Sequence, residues 1–265
     1  MVHDYFLESR GIAYRSNGMN PGKKTLLFIH GLSGSASAWY PYEEFFGREY
    51  NVVTYDLRGH GHSVRPRWYR QYSFDYFVDD LRALLGYLGV RTCTVLSHSF
   101  GAIVARDFIA AEPKLISGAV FLAAPYRLRD TWHAYTAWSA YAGRAIAELW
   151  PLSLPIGRRL DYKNFHHTPD WDFNRISREV YQMGVRSYLR CLTRQYADRD
   201  EGWERVAVPS ILVHGTIDAF VPVSQARALA TAVPHATLKL IEGANHMLVL
   251  NNIQELRHII TDFIR

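Results

Sequence analysis

Cys93-Thr94-Val95-Leu96-Ser97-His98-Ser99-Phe100-Gly101 is the stretch on which the fold turns. Its first four residues form a short apolar and β-branched run, and from Phe100 to Ala111 apolar residues recur at the three-to-four-residue spacing of a helix. A strand that bends sharply into a helix at a serine holds the hydroxyl out of the bend, in front of the N–H groups that open the helix. The two arms of such a turn run close together, so small residues belong on either side. Ser97 and Gly101 fill those places. A serine at a helix start is also an ordinary N-cap, and chemistry there requires a base, an acid and an oxyanion site from elsewhere in the chain.

Working outward, Thr25–Ile29 and Asn51–Tyr55 are continuous apolar runs suited to strands covered on both faces. The first runs into the glycine-rich turn His30-Gly31-Leu32-Ser33-Gly34, the second into Asp56-Leu57-Arg58-Gly59-His60-Gly61-His62-Ser63. Tyr5–Glu8 and Ile12–Arg15 read as a hairpin before them. Trp39–Phe46 and Phe74–Leu88 read as helices, with Ser73 as N-cap of the second. Further strands are expected at Gly118–Ala123, Pro209–Gly215 and Ala236–Ile241, and helices at Val223–Thr231 and Ile253–Phe263. This alternation predicts an α/β protein whose central sheet is mostly parallel and flanked by helices.

The alternation stops at Pro125. Residues 126–205 hold no convincing covered strand, only helical stretches at Thr131–Leu149 and Arg175–Tyr196. An insertion placed there lies over the C-terminal edge of the sheet, where open α/β folds bind ligands. The expected division is therefore a core of residues 1–125 and 206–265, with 126–205 as a helical cap. Five of the seven tryptophans fall in the cap. Trp132, Trp138 and Tyr141 are candidates for an apolar substrate wall, although an aromatic stripe serves equally to pack a cap onto a core.

Several of these segments together resemble the α/β-hydrolase fold family, in its serine hydrolase, esterase- and lipase-like branch with an inserted cap. Ser97–Gly101 resembles its Gly-x-Ser-x-Gly elbow, with Ser97 in place of the first glycine. Asp56–Ser63 resembles its Asp-x-Arg-Gly-x-Gly-x-Ser segment, whose role there is chiefly structural. Gly215-Thr216-Ile217-Asp218-Ala219-Phe220-Val221-Pro222 is similar to its acid loop, and His246, in the turn Glu242–Met247, to its catalytic histidine. Asn245 stands where the family often has glycine. The resemblance implies Ser99 as nucleophile, His246 as base and Asp218 as its orienting acid, in the family's chain order. It also implies the N–H groups of Leu32 and Phe100 as oxyanion donors. Asp130 is the alternative acid, because some members place it after the preceding strand.

The implied reaction is acyl transfer to water on a largely apolar carboxylic ester, with no cofactor and no metal. Thioesters, amides, lactones, carbon–carbon bonds and perhydrolysis employ the same residues, and a ligand receptor that keeps the fold without turnover is the remote alternative. Ser99 argues against the family's epoxide and haloalkane hydrolases, which carry aspartate at the elbow. His98 is expected to point away from Ser99 and to shape the turn.

Composition narrows the partners. The 265 residues are 48% hydrophobic and 21% charged, within the range of ordinary globular proteins. The net charge of +5, with only five lysines, is scattered and includes no zinc-finger spacing, basic helix or arginine-rich tail, so a nucleic-acid partner is not expected. Arg65, Arg67 and Arg70, interleaved with Trp68 and Tyr69, are expected on a loop near the site, facing solvent. No stretch approaches 18 uninterrupted apolar residues, so stable membrane insertion is not expected. Two cysteines make no disulfide scaffold, and Cys93 is expected to be a buried thiol. These features lead to the expectation of a cytoplasmic enzyme with a small-molecule substrate.

Overall fold

The computed structural model describes residues 1–127, 131–149, 158–198 and 201–265, with the side chains of 131–134 outside the description. Strands β1 (His3–Leu7) and β2 (Ile12–Ser16) form an antiparallel hairpin. It pairs through β2 with β4 (Asn51–Tyr55). The remaining strands, β3 (Thr25–Ile29), β5 (Cys93–His98), β6 (Ile116–Leu122), β7 (Ser210–Gly215) and β8 (Ala236–Ile241), continue one eight-stranded sheet in the order β1-β2-β4-β3-β5-β6-β7-β8. From β4 to β8 every pairing is parallel.

The two-residue period of the strands sorts their side chains into two layers. Leu27, Ile29, Val53, Tyr55 and Val95 pack on one face with α2 (Phe74–Tyr87), α3 (Phe100–Ala111) and α7 (Val223–Ala232). Leu26, Phe28, Val52 and Leu96 pack on the other, against α1 (Tyr40–Phe46), the short α8 (Leu248–Asn251) and α9 (Ile253–Ile264). This double covering accounts for the continuous apolar runs of β3 and β4, whose residues are all buried.

The chain bends from β5 into α3 at Ser99, whose φ of 51° and ψ of −119° lie in a region non-glycine residues rarely adopt. Such a conformation costs on the order of 1–3 kcal/mol and persists only where the surroundings enforce it. Here the sheet and α3 enforce it from both ends. A Cβ at Gly101 would sit 2.5 Å from the carbonyl oxygen of His30, so close do α3 and the end of β3 approach. Ser97 is tolerated in place of the usual glycine because its hydroxyl is buried and donates to the Val120 carbonyl at 3.4 Å.

Among the described residues no strand lies between β6 and β7. That connection holds α4 (Thr131–Leu149), α5 (Phe173–Met183) and α6 (Val185–Ala197), a helical cap over the sheet. The single helix expected at Arg175–Tyr196 is two, because Gly184 adopts φ 85° between them. Ser73 precedes α2 as expected, but its side chain makes no capping bond. Arg65 does not face solvent; its guanidinium donates to the carbonyls of Gly61, Gln182 and Met183 and so ties the loop after β4 to the end of α5. Arg67, Trp68 and Arg70 are exposed as expected. No helix of the described residues is long and apolar enough to cross a membrane.

Candidate active site

Three loops at the C-terminal ends of β5, β7 and β8 converge. Ser99 Oγ donates to His246 Nε2 at 2.9 Å, and His246 Nδ1 donates to Asp218 Oδ2 at 2.8 Å. All three side chains are buried. The proton is assigned to Nδ1 because the carboxylate can only accept, which leaves Nε2 with a lone pair toward the serine. Asp218 is held by its second oxygen, which accepts the N–H groups of Phe220 at 2.8 Å and Val221 at 2.7 Å. Burial alone raises its carboxyl pKa, but the adjacent His246 and the Val221 N–H outweigh it and leave the group below the usual carboxylate range. Asp130, the alternative acid, lies outside the described residues.

The loop after β3 lies against the elbow. A Cβ at Gly31 would stand 2.9 Å from His98 Nδ1 and 3.3 Å from Ser99 Cβ, so Leu32 begins its path beside the serine. The N–H of Phe100 is the first of α3, where an amide has no partner within the helix. Neither it nor the Leu32 N–H donates in any backbone hydrogen bond of the turns, loops and caps.

Asn245 takes part in the site by a route the family pattern does not suggest. Its side-chain amide donates to the Thr168 carbonyl at 2.9 Å, and its Oδ1 accepts the N–H of Met247 at 3.0 Å. It thereby ties the loop of His246 to the cap. Asp56, read as structural, accepts the N–H groups of Ala36 and His62 and the Arg159 Nε.

A cavity of about 470 Å³ opens above Ser99. Its walls are mainly apolar, with Trp39, Ile176, Leu189, Leu192, Val221 and Leu250 among them, and Thr136, Ser139, Gln195 and Tyr196 add polar atoms on the cap side. Two expectations need correction. Trp138 is 75% exposed and Tyr141 turns its hydroxyl to the Thr193 carbonyl; neither lines the cavity. The helical period explains this, since α4 presents Thr136, Ser139 and Ala140, spaced three and four apart, while Trp138 falls on the opposite side. The side chain of Trp132 lies outside the described residues. The aromatic groups near His246 are instead Trp171 and Phe220: Trp171 packs edge-on against Phe220 with centroids 4.7 Å apart, and Phe220 edge-on against His246 at 5.1 Å. No spacing in the sequence distinguished these two from the other aromatic residues.

His98 also differs from expectation. It lines the cavity beside Ser99, and its Nε2 donates to the carbonyl oxygen of His246 at 3.0 Å. Burial, reinforced by nearby His246, lowers its pKa to about 3. His30 is lowered to about 4 and His60 well below the ordinary value, both chiefly by burial. His30 Nε2 accepts the Leu57 N–H, as only a neutral ring can.

These three neutral histidines give the fold an acid-sensitive stability. In the unfolded chain each binds a proton below about pH 6.5, whereas in the folded chain His30 does so only near pH 4 and His98 only near pH 3, and burial holds His60 well below the ordinary value. Stability is therefore complete above about pH 6.5 and falls as pH drops toward 4. Near pH 5 His30 and His98 alone should take up almost two protons on unfolding, a slope of about 2.7 kcal/mol per pH unit. Urea unfolding measured from pH 7.5 to 4.5 checks this; a flat midpoint across that range would contradict the neutral, buried assignment.

Residues 24–253 match the family described as alpha/beta hydrolase fold, which is most of the chain. The chain belongs to the α/β-hydrolase fold family. As a member, it is 28% identical over 267 residues to protein ABHD8 of Mus musculus, with 90% of this chain and 54% of that protein covered. It thus spans about half the length of that relative. Among solved structures it is similar to a carboxylesterase of Nitrososphaera gargenis, at 21% identity with a TM-score of 0.74 over 99% of this chain and 97% of the other. The enol-lactonase from Burkholderia xenovorans LB400 is also similar, at 21% identity with a TM-score of 0.73 over 96% of each chain. At these identities the likeness concerns the fold alone.

Proposed function

We propose that this α/β-hydrolase is a serine hydrolase that cleaves a small to medium, largely apolar carboxylic ester through an acyl-enzyme. The observation that carries the reading is the unbroken chain Ser99 Oγ, His246 Nε2, His246 Nδ1, Asp218 Oδ2 at the floor of an apolar cavity. As Ser99 Oγ attacks the ester carbonyl, its proton passes to His246 Nε2, and Asp218 stabilises the imidazolium that forms. The Leu32 and Phe100 N–H groups are assigned to the negative oxygen of the tetrahedral intermediate. His246 then gives the proton to the leaving alkoxide, takes one from the water that attacks the acyl carbonyl, and hands it to Ser99 Oγ as the acyl bond to the serine breaks and the carboxylic acid leaves.

The cavity supports the choice of substrate. Its volume lies within the range of about 300–1,000 Å³ typical of small-molecule sites. Among the described residues that line it, the two charged side chains, Arg175 and Glu179, are paired at 2.9 Å, which leaves no free charge between them for an ionic substrate. Residues 126–205 are proposed as the cap and 1–125 with 206–265 as the core. The two buried, unbridged thiols of Cys93 and Cys191 fit a reducing cytoplasm.

The test is competitive turnover on matched, unactivated ester, thioester, amide, lactone and vinylogous diketone substrates, compared by kcat/KM. The ester is expected to lead the series, with apolar acyl groups preferred to charged ones. Preference for another bond type, lost in Ser99→Ala, would reject the ester while retaining the nucleophile.

A further inference from the structure

One buried side chain outside the three loops touches two of them. Asp170, which the cap carries just ahead of α5, is 5% exposed. Its Oδ1 accepts the backbone N–H of His246 at 2.8 Å, and its Oδ2 accepts the backbone N–H of Ala219, the residue after Asp218, also at 2.8 Å. A single carboxylate thus spans the peptide of the base and the peptide next to the acid. From this geometry we infer that Asp170 is a positioning residue, through which the cap sets the distance between His246 and Asp218. The inference rests on the proposed reading of the site as a Ser99–His246–Asp218 centre.

The same cap segment reaches the loop after β3. Arg175 donates through Nη2 to the Asp170 carbonyl and through Nη1 to Glu179 Oε2, each at 2.9 Å. Glu179 Oε2 lies 3.1 Å from the hydroxyl of Ser33, the neighbour of Leu32, which shares its one proton between that carboxylate and the Leu32 carbonyl at 2.6 Å. Its Oε1 accepts the Tyr162 hydroxyl at 2.9 Å, so both carboxylate oxygens of Glu179 are partnered. Burial raises the Glu179 carboxyl pKa against the opposing pull of Arg175. The network therefore runs unbroken from the loop of Leu32, through the cap, to the loops of Asp218 and His246.

The alternative is that Asp170 merely fastens the cap, and the chemistry separates the two. Asparagine at 170 can accept one of the two N–H groups with its oxygen but presents an NH₂ to the other, so one loop is released. Small displacements of catalytic groups cost about 100-fold in rate.

The experiment measures the rate at which an alkyl fluorophosphonate labels Ser99, with kcat and KM on an ester and the far-downfield proton resonance of His246 Nδ1–H. It compares wild type, Asp170→Asn and Asp172→Ala. Asp172 caps α5 by accepting the Arg175 N–H at 3.0 Å, accepts the Thr168 hydroxyl at 2.8 Å, and makes no direct bond to the loops of Asp218 and His246. Asp170→Asn should label about 100-fold more slowly, lose kcat with KM little changed, and shift or lose the resonance. Asp172→Ala should label near the wild-type rate. Equal labelling of Asp170→Asn and wild type, an unaltered resonance, or an equal slowing in Asp172→Ala would overturn the inference. If wild type is not labelled at Ser99, the hydrolase reading fails while the resonance still decides the role of Asp170. Should Asp170→Asn not fold, Arg175→Lys severs the same network, since lysine lacks the fork that reaches both Glu179 and the Asp170 carbonyl. Wild-type labelling and resonance in a folded Arg175→Lys would likewise overturn it.

Discussion

Ser99→Ala is expected to lower kcat on the preferred ester by about 10⁴- to 10⁶-fold, with KM changed little. The loss is large because Ser99 Oγ is the atom proposed to form the acyl bond, and among the described residues no other hydroxyl meets His246 Nε2 in its place. His246→Ala should cost a similar factor. The double variant should be hardly worse than either alone, because base and nucleophile act as one unit and the second removal takes away a function already lost. Ser99→Ala should leave folding intact, and removing a side chain at φ 51° does not relieve the strain, which alanine shares. Steady-state kinetics of the three variants, with urea unfolding as control, check this. Multiplicative losses in the double variant, or retention of a tenth of the activity in Ser99→Ala, would exclude the assignment.

Asp218→Asn carries the second large effect, and the geometry dictates its direction. The oxygen that accepts the Phe220 and Val221 N–H groups must remain an oxygen, or two buried donors lose their partner. The amide NH₂ then faces His246 Nδ1, which has to accept from it. A neutral imidazole that accepts at Nδ1 carries its proton on Nε2 and presents a donor to Ser99 instead of a lone pair. The base is lost although every side chain keeps its place, at an expected cost of about 10⁴-fold in kcat. A structure of the variant should show the three residues unmoved. Activity within tenfold of wild type would mean that another carboxylate orients His246 and would return attention to Asp130.

His214 shows why such an assignment needs coordinates. It stands at a strand end like His246, and its Nε2 lies 3.5 Å from the same Asp218 oxygen. But it donates to the Val221 carbonyl at 2.8 Å, and the bond to Ser99 Oγ is made by His246. Residue type does not separate the two histidines; the partners each ring meets do.

What the sequence determined by itself was everything encoded over short distances. The apolar runs of β3 to β7, the helix periods that flank them and the turn at Ser99 follow from local patterning, because burial on two faces of a sheet leaves no other distribution of side chains. The placement of Ser99, Asp218 and His246 after strand ends was legible for the same reason, since a parallel sheet gathers the loops at one edge. The cavity wall was not legible. Trp138 and Tyr141 satisfied composition and helix spacing, yet a few residues of rotation about the axis of α4 gave the wall to Thr136, Ser139 and Ala140. Asp170 gave no signal in the chain either. Its partners lie 49 and 76 residues away, and a carboxylate acquires meaning from backbone N–H groups that every residue offers alike. Only the tertiary structure, by pressing the cap onto two loops and burying the carboxylate between them, selected which of those groups it would bind.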